Sequence, residues 1–80
     1  MGRYKLDIYD NVNEPELRKI NRYIKILDNN DTLEIYIHDK SNNLDMINTC
    51  ILRNNLKVTI SKDIDKDNKT IRYIKIIKKE

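Results

Sequence analysis

The sequence has no phenylalanine and no tryptophan, and its 80 residues include one cysteine, one glycine and one proline. The core must therefore be built mainly from isoleucine and leucine. A single cysteine cannot form an internal disulfide, and the start of the chain lacks the apolar core of a signal peptide, so we expect a cytoplasmic protein. No apolar run approaches the ~18 residues that cross a bilayer, which predicts no membrane association.

Charged residues are abundant but nearly balanced in sign. The sequence has 16 lysine and arginine residues against 13 aspartate and glutamate residues, a net charge of +3. Nucleic-acid-binding proteins usually concentrate a larger positive excess on one surface. The 80 residues contain no linker rich in glycine, serine or proline, which predicts a single domain, 1–80.

The first half of the chain predicts a strand, a helix and a second strand. Apolar and polar residues alternate at Tyr4–Ile8 and Leu33–Ile37, as in strands with one buried face. Between them, Asn13 can cap a helix, with Glu16 at the capping-box position and Pro15 in the first turn. The apolar stripe of this helix consists of Leu17, Ile20, Ile24 and Leu27, with Tyr23 alongside.

The second half predicts a helix and two further strands. The helix has an apolar stripe of Leu44, Ile47 and Ile51; Leu56, Val58 and Ile60 then indicate a third strand. Residues 62–69 are expected to form a charged loop, and residues 71–77 the last strand of an antiparallel hairpin. We therefore predict an α+β fold, a two-layer sandwich of order β-α-β-α-β-β, with a four-stranded mixed sheet and two helices on one face.

A strand-to-helix turn begins at Leu6-Asp7 and passes through residues 13–16 into the first helix. Further short segments follow at matching places: residues 31–35, Asp45-Met46, residues 55–58 and residues 72–74. This arrangement resembles the small sulfur-carrier proteins that include TusA and SirA, whose turn reads roughly Leu-Asp-x-x-Gly-x-x-Cys-Pro-x-Pro. The resemblance implies the same two-layer fold over nearly the whole chain.

The cysteine of that family aligns with Asn13. In the family this cysteine carries sulfur as a persulfide, which an amide cannot do, so the resemblance argues against an enzymatic role. Cys50 falls in mid-helix beside the apolar stripe, which is typical of a small core residue and not of a reactive thiol. The resemblance then implies a docking or regulatory module with a protein partner, for instance in a sulfur relay. Its expected binding surface is Asn13, Glu14, Glu16, Arg18, Arg22 and Lys25.

Nucleic-acid binding is the alternative interpretation. The same order of elements occurs in Alba chromatin proteins and in the C-terminal domain of the third bacterial initiation factor. Phosphates would then contact the basic face of the first helix together with the last strand. The additional cations that this interpretation uses are Lys19, Arg72, Lys75 and Lys78.

The sheet face without helices offers a further surface. Tyr9, Tyr36, Tyr73 and Ile77 are expected there, and such an apolar patch suits a homodimer contact. His38, at a strand end, is expected to face solvent. The run Asp63-x-Asp65-x-Asp67 copies the start of a calcium loop without its later ligands, so we expect neither a metal nor a cofactor.

Overall fold

The computed structural model describes residues 2–9, 14–38, 44–54 and 56–78, and for Glu14 and Glu16 it describes the backbone alone. The elements are β1 (Arg3–Ile8), α1 (Glu14–Ile26), β2 (Thr32–Ile37), α2 (Leu44–Arg53), β3 (Leu56–Lys66) and β4 (Lys69–Lys78). Their order confirms the predicted α+β fold. The expected helix cap Asn13 lies outside the described residues.

The four strands form one mixed sheet in the order β1-β2-β4-β3. The strands β1 and β2 are parallel because α1 carries the chain back between them, while β4 is antiparallel to both of its neighbours. Since β4 lies between β2 and β3, α2 has to carry the chain past the position of β4. The edge strands are therefore β1 and β3.

The core lies between one face of the sheet and the two helices, as predicted. Alternate residues of the strands point to this side and are buried: Leu6, Ile8, Leu33, Ile35, Ile37, Ile74 and Ile76. The helices pack on them with Ile20, Ile24, Ile47, Cys50 and Ile51, and Leu27 joins the core directly after α1. Neither of the two helices that the structure describes is long and apolar enough to cross a membrane.

The prediction of a charged loop over residues 62–69 was wrong. Most of this segment instead extends β3 and β4 into a long hairpin, which closes at Asp67 and Asn68. These two residues have positive φ angles of 51° and 63°, the left-handed backbone that a tight two-residue hairpin turn requires. Aspartate and asparagine tolerate that conformation because their short polar side chains bond locally to the backbone.

A bulge in β3 reverses which face its side chains occupy. The register pairs Val58 with Ile76 but Ile60 with Lys75, so Thr59 is one extra residue on the β3 side. Leu56 and Val58 consequently point towards the helices, whereas Ile60 points to the opposite face. The third strand predicted from Leu56, Val58 and Ile60 is therefore present, but the extra residue interrupts its period of two.

The buried carboxylate of Asp31, just before β2, forms hydrogen bonds with the segments that precede β1 and follow α1. Asp31 is 5% exposed and accepts backbone hydrogen bonds from Gly2 at 2.5 Å and from Asp28 at 2.9 Å. These two bonds lower the pKa of Asp31 below its ordinary value of 3.8. The backbone N–H of Lys78 donates to the Asp31 carbonyl at 3.2 Å, so β4 ends at the same point.

Candidate functional site

The binding surface predicted on α1 is described in part. Arg18, Arg22 and Lys25 are exposed and line a shallow depression of about 440 Å³ together with Asn21. We call these three cations the helix-1 strip; Lys19 is exposed on the same helix. Asn13 lies outside the described residues, as do the side chains of Glu14 and Glu16, so the acidic half of the predicted surface has no described geometry.

A groove between α1 and α2 adjoins the helix-1 strip. The groove has a volume of about 580 Å³ and is lined by Leu17, Asn21, Asp45, Met46, Thr49, Cys50, Arg53 and Asn54. Asn21 lines both the groove and the depression at the strip, so the two surfaces are continuous. Leu17 and the 38% exposed Met46 supply apolar surface beside these cations. The combination suits an extended segment that carries both apolar and acidic side chains.

Cys50 is one of the residues that line this groove, and it is 9% exposed. It donates a hydrogen bond to Oδ1 of Asn21 at 3.0 Å, and Nδ2 of Asn54 donates to the Cys50 carbonyl at 2.7 Å. Burial raises the pKa of the Cys50 thiol, and the charge of Arg53 opposes this effect. Because the thiolate is the nucleophilic form, a protonated and hydrogen-bonded sulfur is poorly reactive. The geometry is that of a structural cysteine that joins the two helices.

The three cations predicted on the last strand lie in three different environments. Arg72, on the helix side of β4, donates to Asp63 at 3.2 Å and to Ser61 at 2.9 Å. Nζ of Lys78 donates to the Leu27 carbonyl at 2.8 Å, just after the end of α1. Lys75 pairs in register with Glu34 on the opposite face. Lys75 therefore lies on the face away from the helix-1 strip, whereas Arg72 and Lys78 are on the helix side with their side chains engaged by other groups.

The sheet face without helices, which we call the open face, has a hydrogen-bonded cluster near its centre. Glu34 accepts hydrogen bonds from the hydroxyls of Tyr73 at 2.6 Å and Tyr36 at 3.2 Å, and the two rings are 5.0 Å apart. The bond from Tyr73 lowers the pKa of Glu34 below its ordinary value of 4.5. Burial and the same bond raise the pKa of Tyr73 to about 12. Nearby positive charges of Lys75 and Arg3 further stabilise the Glu34 carboxylate.

A stacked aromatic pair lies at one end of the open face. The rings of Tyr9 and His38 are 4.3 Å apart and inclined by 18°. Nε2 of His38 is 3.0 Å from Oδ1 of Asp7, so His38 is half-buried and does not simply face solvent as expected. Tyr9 is 68% exposed, which leaves the side of its ring away from His38 open to solvent. Lys5 lies nearby, with its Nζ 4.9 Å above the ring of Tyr36.

Most lysine and arginine side chains of the sheet lie on the open face. Strand register and side-chain alternation place seven of them there: Arg3, Lys5, Lys57, Lys62, Lys66, Lys69 and Lys75. The carboxylates of the described residues on this face are Asp7 and Glu34, and both have partners. Asp63 and Asp65 point to the other side of the hairpin. Seven cations against two carboxylates give this face an excess of five positive charges, whereas the whole chain has +3.

Sequence reasoning placed Tyr36, Tyr73 and Ile77 on this face, and the register puts them there. It named Lys75 as a phosphate contact but did not place the cations together on this face. For Arg3 and Lys5 the signal was available, because they alternate with Tyr4, Leu6 and Ile8. For Lys62 there was no comparable signal, since its side depends on the bulge at Thr59.

Searches against protein-family models, curated proteins and solved structures found no match to this chain. The resemblance to TusA and SirA proteins therefore stays a prediction made from the sequence.

Proposed function

We propose that this protein is a non-catalytic docking or regulatory module related to the TusA/SirA-like sulfur carriers. It binds a protein partner through the helix-1 strip and the adjoining groove between α1 and α2. The resemblance suggests a component of a sulfur relay as the partner. The single observation that carries the proposal is the environment of Cys50, whose thiol is buried and donates to Asn21 at 3.0 Å.

The environment of Cys50 supports the non-catalytic part of the proposal. A sulfur carrier needs an accessible thiol with a low pKa, because the thiolate has to attack the donor persulfide. Cys50 is the one cysteine of the sequence, and its pKa is raised by burial. The family position of the carrier cysteine is occupied by Asn13. Neither residue meets the requirement, so the function rests on binding.

The charge of the helix-1 strip supports an acidic partner segment. Arg22 and Lys25 are exposed one helical turn apart, and Met46 and Leu17 lie in the adjoining groove. A partner segment with carboxylates along the strip and an apolar side chain in the groove would match this pattern. The interpretation as a nucleic-acid-binding surface of α1 with the last strand has weaker support, because Lys75 lies on the other face of the sheet and Arg72 and Lys78 bind groups within the protein.

The non-catalytic claim is tested by incubating the protein with a cysteine desulfurase and cysteine, followed by intact-mass analysis. We expect no gain in mass, because the Cys50 thiol is buried and protonated. A control with the desulfurase and an established carrier protein has to show the adduct. A mass increase of one sulfur atom that maps to Cys50 would overturn the claim.

The docking claim is tested with a double variant of the strip, Arg22→Gln and Lys25→Gln. The partner is first captured with the wild-type protein, identified and purified, and its affinity is then measured by calorimetry. We expect about a fivefold loss in the double variant, since exposed charge pairs contribute about 0.2–1 kcal/mol each.

The matched control is Asn29→Asp with Asn48→Asp. It changes the net charge by the same amount at exposed positions outside the strip and the groove. Equal affinity of the strip variant and wild type would refute docking at this surface. Equal losses in both variants would assign the effect to net charge alone.

A further inference from the structure

We infer that the open face binds a single-stranded nucleic acid, with a base stacked on Tyr9 and the phosphates along the lysines of the sheet. This inference goes beyond the proposed docking function, because it uses the face opposite the helix-1 strip and the groove. Three features carry it: the segregated positive charge, the exposed aromatic stack and the internal pairing of the acidic residues.

The positive charge favours a polyanion as the ligand. Lys5, Lys62 and Lys75 lie on three different strands of the open face, together with the flanking Arg3 and Lys57. Neighbouring strands are about 4.8 Å apart, so these cations cover an area rather than a single point. An extended phosphate backbone can contact several of them at once and release its condensed counterions.

The two carboxylates do not cancel this field. Asp7 lies 3.0 Å from Nε2 of His38 and 4.0 Å from Nζ of Lys5. Glu34 accepts the hydroxyl of Tyr73 at 2.6 Å and that of Tyr36 at 3.2 Å. Both acidic groups are therefore engaged within the face, and neither projects alone towards an approaching phosphate.

The aromatic pair indicates an unpaired base. Tyr9 is 68% exposed and its ring stacks on His38 at 4.3 Å, so one side of a flat aromatic surface is supported and the other is accessible. Bases in single strands expose their faces and stack on such rings with little dependence on sequence. A duplex hides its base faces in its own stack, and the acidic side chains of a peptide have no aromatic ring to stack on Tyr9.

Charge also disfavours a second copy of the chain as the occupant of this face. A twofold contact brings the same patch of both subunits together. Here it would oppose two surfaces that each carry an excess of five positive charges among the described residues. The homodimer expected from the tyrosines alone would therefore have to bury like charges against each other.

The inference is tested by fluorescence anisotropy with labelled single strands of about ten nucleotides, a length within the range of single-strand binding sites. Oligothymidylate and oligouridylate distinguish DNA from RNA, and a duplex of the same length is the competitor. If about four phosphates are contacted, log Kd should rise with log salt with a slope of about 3.

Three variants locate the site. Tyr9→Ala should weaken binding about tenfold through the lost stacking, with Leu52→Ala as a control because Leu52 is also exposed, at 78%, but lies on α2. Lys5→Gln with Lys62→Gln should weaken binding about tenfold and reduce the salt slope by about 1.4. Arg22→Gln with Lys25→Gln removes the same charge from the helix-1 strip and should have a much smaller effect.

Several results would overturn the inference. One is the absence of binding at low salt. Another is an equal loss in the Lys5/Lys62 and Arg22/Lys25 variants, which would show attraction by net charge. Binding of polyglutamate as tightly as the single strand would favour an acidic protein, and a dimer disrupted by Tyr9→Ala would favour a second copy. Failure here leaves the docking test untouched, because that test uses the helix-1 strip.

Discussion

Replacing Tyr73 with phenylalanine removes one hydroxyl and the 2.6 Å hydrogen bond that it donates to Glu34. A hydrogen bond to a charged acceptor contributes about 1.5–3 kcal/mol to folding stability. Tyr73 is 8% exposed, so water cannot easily replace the lost donor. Glu34 keeps its bond from Tyr36, at 3.2 Å, which places the expected loss near the lower limit, about 1.5 kcal/mol.

Urea unfolding followed by circular dichroism measures this loss as a lower midpoint with an unchanged slope. For a domain of this size, ~1.5 kcal/mol corresponds to a fall of about 6–12 °C in Tm. Tyr36→Phe is the matched control. It removes the longer bond of the same pair, so its cost should be smaller, about 0.5–1 kcal/mol.

The pH dependence provides a second measurement on the same variant. The pKa of Glu34 is lowered in the folded protein, so its stabilising effect is complete above the ordinary value of 4.5 and is lost as the pH falls through the folded value. The difference in free energy of unfolding between wild type and Tyr73→Phe should therefore become smaller in acid, because a protonated Glu34 is a weaker acceptor. Two results would refute the reasoning. One is a loss in free energy of unfolding by Tyr73→Phe that lies within about 0.3 kcal/mol of zero; the other is a loss that stays the same in a Glu34→Gln background.

Two further predictions concern the turn of the hairpin and the buried carboxylate. Asn68 has a φ of 63°, so Asn68→Gly should stabilise the protein by about 0.5 kcal/mol in thermal unfolding, because relief of the left-handed backbone penalty exceeds the entropic cost of glycine. Asn68→Val should destabilise it; the opposite order would contradict the turn. Asp31 has a lowered pKa because Gly2 and Asp28 donate to it, so its contribution is present above 3.8 and is lost as the pH falls through the folded value. Asp31→Asn should therefore lower the urea midpoint at neutral pH and make that midpoint depend less on pH in the acid range. An unchanged dependence on acid pH would exclude this role.

Periodicity was sufficient to predict most of the fold. Tyr4, Leu6 and Ile8 in β1 and Leu33, Ile35 and Ile37 in β2 repeat every second residue because one face of each strand is buried. The stripe of Ile20, Ile24 and Leu27 has helical spacing for the same reason. Such patterns are local, so they can be read without knowing which strands are neighbours. The burial of Cys50 was predictable in the same way from its place beside the stripe of α2.

The candidate sites depend on information that no local pattern contains. Asn21 and Cys50 lie 29 residues apart, and their hydrogen bond exists because α1 and α2 pack side by side. Glu34 and Tyr73 meet through the pairing of β2 with β4 over a separation of 39 residues. The stack of Tyr9 on His38 likewise requires β1 and β2 to end at the same edge of the sheet.

The amino-acid sequence by itself determined the elements, their order and the apolar side of each strand, because burial imposes a repeat of two or 3.6 residues on neighbouring positions. Tertiary structure decided which charges the second half of β3 adds to the open face. The bulge at Thr59 turns Lys62 to the side away from the helices and Asp63 towards Arg72. One unpaired residue exchanges the two faces of everything after it in β3, and it forms only when β3 pairs with β4.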